Sequence, residues 1–107
     1  MAEKEKLGIL VPTNNNLDRL IGVTRAAKKA GKQVLIFFTH DGILMTLDQN
    51  YQELVDLEPD QISLCSARRD ELGLRDAPVP AGMELDDLAT QSRHVALIEA
   101  CDRYLVL

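Results

Sequence analysis

Tryptophan is absent, and the only aromatic residues besides histidine are Phe37, Phe38, Tyr51 and Tyr104. That removes the stacking platform a single-strand nucleic-acid binder needs. An excess of positive charge is also missing: 12 basic against 17 acidic residues leave a net charge of −5, opposite to a nucleic-acid surface. No long apolar run occurs. The longest, Val34 to Phe38, is far too short to span a bilayer, so no membrane partner is expected. The opening residues Met1 to Lys6 are charged and no signal-type apolar region precedes the first strand, which points to the cytoplasm. Cysteine is scarce as well. In that compartment, Cys65 and Cys101 read as free thiols rather than as a structural disulfide. No G-x-x-x-x-G-K or G-x-G-x-x-G occurs, which leaves a nucleotide site unsupported. The two histidines and two cysteines lack zinc spacing. Neither a metal nor a cofactor is expected.

What is present is an ordinary globular composition. Hydrophobic residues make up 46% and charged residues 27% of 107 positions, enough for the core of one domain, residues 1–107, but not of two. Leu7 to Val11 reads as a strand buried on both faces. Pro12 and Thr13 stop it, and Asn14-Asn15-Asn16 forms a turn of helix-capping residues. A helix follows from about Leu17 to Ala30, with Leu17, Leu20, Ile21 and Thr24 on one face, Lys28 and Lys29 in the last turn, and Gly31 at the stop.

Gln33 to Phe38 is a second strand. Together these elements make a unit of the length of a right-handed strand–helix–strand crossover. Thr39-His40-Asp41-Gly42 closes it. Ile43, Leu44, Met45 and Leu47 then form an apolar segment that either packs on the sheet or meets another subunit. Pro59-Asp60 turns into a third strand, Ile62 to Cys65, and a short helix from Ser66 to Leu72 follows at once. The stretch Gly73 to Gly82, with two prolines, reads as a loop or flap. A long helix is expected over Leu85 to Ala100, presenting Leu85, Leu88, Val95 and Ile98 on one face. A last strand covers Tyr104 to Leu107.

Alternating strands and helices predict an α/β sandwich with a mostly parallel sheet of four to five strands. Ligands of such sheets gather outside the carboxyl ends of the strands. Three segments meet there: Pro12 to Asn16, Thr39 to Gly42, and Cys65 with Ser66. A thiol at a strand–helix junction with Arg68 and Arg69 in the next turn has two influences that favour thiolate. The alternative is a small buried hydrophobe, since free cysteine is among the most buried residue types. His40 reads either as a partner of Cys65 or as a turn histidine bonded to backbone, and His94 as a solvated helix residue. The Asn14–Asn16 turn either holds an anion or caps the helix. Cys101 falls at the opposite sheet edge. A five-residue strand covers roughly 16 Å, whereas a disulfide needs Cα atoms about 5.5 Å apart, so the two cysteines should not pair within one chain.

Three stretches are similar to the DsrE/DsrF-like sulfur-relay family: Ala26 to Gly42, with its Gly31 and its Ile36-Phe37-Phe38-Thr39-His40-Asp41-Gly42 run; Ser63-Leu64-Cys65 before a short helix and Gly73; and Ala100 to Val106. The resemblance implies a flavodoxin-like three-layer α/β sandwich and assembly into trimers or hexamers. In the sulfur-relay members it also implies a cysteine that carries sulfur as a persulfide between donor and acceptor proteins, a role that maps onto Cys65 alone. Asn14, Thr39, His40, Ser66, Arg68 and Arg69 are the expected supporting or ligand-binding residues. Other readings remain. One is a non-catalytic oligomer of the same fold that binds a small ligand or regulates. Another is peroxide reduction at Cys65, which lacks a resolving cysteine in the chain. The stretch from Asp48 to Pro59 is shorter than in longer relatives.

Overall fold

The computed structural model describes residues 4–107. Three apolar runs form the centre of a five-stranded, all-parallel sheet: β1 (Lys6–Val11), β2 (Gln33–Phe38) and β3 (Gln61–Cys65). Two short strands, β4 (Leu88–Ala89) and β5 (Arg103–Val106), complete it in the order β4-β3-β2-β1-β5. Helix α1 (Leu17–Lys29) joins β1 to β2. A 3₁₀ helix (His40–Leu47) and α2 (Tyr51–Asp56) lead from β2 to β3, and α3 (Ser66–Glu71) begins directly after β3. Helix α4 (Gln91–Ala100) returns the chain to β5 on the far side of β1. The result is a flavodoxin-like three-layer α/β sandwich.

The two faces of the sheet are unequally covered. Ile9, Val11, Val34, Ile36, Phe38, Ile62 and Leu64 all point to one face, as alternation along parallel strands requires. There they meet Leu17, Leu20, Ile21 and Ala27 of α1, joined by Ile43, Met45, Tyr51, Leu54 and Met83. Truncating one of these large side chains costs about 2–5 kcal/mol. The opposite face holds a smaller cluster of Phe37, Cys65 and Leu97, flanked by Leu10, Leu35 and Cys101. Gly8 lies beneath α4 there, and any Cβ on it would strike Leu97 and Cys101.

Helix α1 follows its sequence closely. Its buried residues fall at helical spacing. Gly31, at φ 79°, ends it with paired bonds from Gly31 N–H to Lys28 C=O and from Lys32 N–H to Ala27 C=O, the Schellman closure that a left-handed residue allows. The asparagines do not cap it: Asn16 occupies the cap position without a side-chain bond to the helix.

Further expectations are corrected or decided between. The helix over Leu85 to Ala100 does not form as one unit; a 3₁₀ turn (Leu85–Asp87), β4 and α4 replace it. Leu88 and Ala89 instead pair with Leu64 and Cys65, satisfying backbone groups along the outer side of β3. Thr90 then starts α4, its hydroxyl accepting the Ser92 N–H. The supposed apolar face also fails, since Leu85 is 73% exposed, Val95 and Ile98 are exposed, and Leu97 is the buried residue of α4. The apolar segment after Gly42 packs on the sheet, with Ile43 and Met45 in the core and only Leu47 well exposed.

The Gly73–Gly82 loop is tied down rather than free to act as a flap. The Arg69 guanidinium donates to the carbonyls of Arg75, Ala77 and Pro78, and the Tyr51 hydroxyl donates to Ala81 C=O at 2.7 Å. His94 is no solvated residue either. It is half-buried, stacked on Phe37 with ring centroids 5.6 Å apart, and its Nε2 lies 2.8 Å from the Tyr104 hydroxyl. No helix among the described residues is long and apolar enough to cross a membrane.

Candidate functional site at the carboxyl edge

The carboxyl ends of β1 and β2 are locked together by backbone. Thr39 N–H donates to Val11 C=O, and Gly42 N–H donates back to Thr39 C=O. Gly42 lies so close to β1 that a Cβ there would collide with the Val11 carbonyl oxygen. This close approach turns the chain sharply off β2. His40 takes the strain of the turn at φ 47°, a left-handed conformation uncommon for non-glycine residues.

Cys65 ends β3 and occupies the cap position of α3, a free thiol 7% exposed. Its side chain belongs to the cluster with Phe37 and Leu97, so it faces the α4 side of the sheet. β2 and β3 pair through Phe37 with Ser63 and Phe38 with Leu64. The next pair in that register is Thr39 with Cys65, on the same face. Thr39 is 5% exposed, and its hydroxyl oxygen accepts a bond from the Gln91 side-chain amide at 3.4 Å. On the outer side Cys65 pairs with Ala89 of β4. The thiol therefore sits between β2 and β4, under the side of the sheet that α4 covers.

The other expected residues scatter around it. His40 is exposed, and Ser66 is half-buried at the start of α3. Arg68 binds carboxylates: its Nη1 is 2.9 Å from Glu71 and its Nη2 is 3.7 Å from Asp41, while its Nε is buried without a partner. Arg69 is 6% exposed and spends its charge on the loop carbonyls. Asn14 lies elsewhere, in a polar depression of about 230 Å³ that it shares with Asn15, Leu17, Asp18, Asp48 and Asn50. A larger hollow of about 370 Å³ is at the opposite edge, lined by Lys4, Glu5, Asp102 and Arg103, with no cysteine among them.

Cys101 follows α4 at the amino-terminal edge and bonds to Ile98 C=O at 3.5 Å. Among the described residues, no group of three or more His, Cys, Asp or Glu side chains could hold a metal ion. Sequence reasoning missed Gln91, Thr90 and the Phe37–His94–Tyr104 stack. The signal was present in Thr90, a capping residue in the middle of what read as continuous helix. Moving the helix start there puts Gln91, His94 and Leu97 three apart, on the side facing the sheet.

Fold and site together define a flavodoxin-like α/β protein with one near-buried thiol at the carboxyl edge and its second thiol at the opposite edge. No protein-family model matches the chain, and no curated protein matches it either.

Proposed function

We propose that this protein carries sulfane sulfur as a persulfide on Cys65, in the manner of the DsrE/DsrF-like sulfur-relay proteins its sequence resembles. The observation that carries the reading is the placement of a free Cys65 at the carboxyl end of β3, at the cap position of α3 and remote in the fold from Cys101. A thiol without a resolving partner suits a step completed by a second molecule. The Cys65 thiolate attacks the outer sulfur of a donor persulfide R–S–SH. The Cys65–S bond forms as the donor's S–S bond breaks, giving Cys65–S–SH and the donor thiolate. An acceptor thiolate then takes the same sulfur atom and returns Cys65 as thiolate, so no external oxidant or reductant is needed. Self-association belongs to the same reading, and the exposed Val95, Ile98, Tyr104 and Val106 on α4 and β5 support it.

The second reading, a non-catalytic ligand-binding or regulatory oligomer, is favoured by the burial of Cys65 alone. A transfer assay separates the two. The protein is loaded with a small-molecule persulfide, desalted and mixed with excess thiol, and the sulfide released is measured. The carrier reading expects about one sulfide per chain, lost in Cys65→Ser and kept in Cys101→Ser. The oligomer reading expects none from the wild-type chain or from either variant.

A further inference from the structure

Cys65 is nearly closed off, and two of the elements beside it, β4 and α4, are lightly held. Strand β4, beside it, is two residues long. Helix α4 buries a single residue, Leu97, whereas α1 buries five. A ten-residue helix is marginal without tertiary packing. What holds the front of α4 is mainly polar. The Gln91 amide reaches Thr39, His94 stacks on Phe37 and meets Tyr104, and Arg93 pairs with Asp87 at 3.1 Å and donates to Asp86 C=O. The rear is different. Leu97 and Cys101 are seated against β1 at Gly8. Firm at one end and lightly latched at the other, this segment has the pattern of a unit that opens below the free energy of global unfolding.

We propose that β4 and the first turn of α4, residues 88–94, form a gate, and that Cys65 reacts only when this segment leaves the sheet while β1, β2, β3 and α1 stay folded. The gate does not depend on which reaction Cys65 performs.

Peptide-resolved alkylation of the full chain by N-ethylmaleimide tests this, with the urea-unfolded chain as reference. Cys65 should label at least roughly a hundredfold more slowly than when unfolded, yet faster than global opening permits. Its rate should depend on sub-denaturing urea far more weakly than global stability does. His94→Ala should raise the rate about tenfold, equivalent to about 1.4 kcal/mol lost from the latch. Ile36→Val, on the α1 face, weakens the whole fold but should leave the rate within about twofold. Labelling of Cys65 at the unfolded-chain rate would overturn the gate. So would a urea dependence equal to that of global unfolding, which the wild-type protein reports without any variant. An acceleration by Ile36→Val matching that of His94→Ala would do the same.

Discussion

Asp60 shows how one side chain fixes a strand. Its Oδ2 accepts the Val34 N–H at 2.7 Å and the Lys28 ammonium at 3.1 Å, tying the turn before β3 to β2 and to the end of α1. Burial alone pushes this carboxyl up, but the Val34 N–H and Lys28 together outweigh it and hold the group below the usual carboxylate range. A carboxyl lowered by folding stabilises the protein above its unfolded value of about 3.9, and that contribution is lost as pH falls through the lower folded value. Melting curves between about pH 5 and pH 2 should therefore show a shallower acid loss in Asp60→Asn than in wild type. Gly42→Ala makes a sharper demand, because the added carbon meets backbone that cannot move aside. Urea unfolding should register a loss of about 3 kcal/mol. The strand-end position of Cys65 was legible from Ile62 and Leu64 in alternation before it. The role of Arg69 was not, because its partners are backbone carbonyls that carry no side-chain signal.

At the scale of elements, strand and helix were readable wherever one periodicity governed a whole segment. β1, β2 and α1 are such cases, down to the glycine that ends α1. The stretch from Leu85 to Ala100 was misread because its apolar residues fit helical spacing while the free edge of β3 claimed two of them. Pairing across a sheet is non-local and leaves little local trace. The Gly73–Gly82 loop is similar: its composition suggests a flap, but the anchors at Arg69 and Tyr51, the latter 30 positions before Ala81, are invisible to composition. Tyr51→Phe removes the bond to Ala81 and should cost about 1 kcal/mol. Arg69→Met leaves three loop carbonyls without their donor and should cost about 1–3 kcal/mol. Hydrogen exchange should rise in residues 73–82 in both variants, and more in Arg69→Met. Unchanged exchange there would mean the loop is held by other contacts.

For the molecule as a whole, topology does what local sequence cannot. Three crossovers carry the chain from β1 through β4 in one direction, and α4 then brings it back to place β5 on the other side of β1. That return gives Cys65 its lightly covered face, sends Asn14 to a separate depression and leaves Cys101 at the far edge. The convergence of Thr39 and Cys65 was foreseeable from strand order; the arrival of Gln91 was not, since it required α4 to start at Thr90. The central claim is that Cys65 accepts one sulfur atom. Intact mass after incubation with a small-molecule persulfide, with and without reductant, measures this directly. The expected result is a reducible gain of one sulfur atom in wild type and Cys101→Ser but not in Cys65→Ser. No gain, or a gain that survives Cys65→Ser, would contradict it.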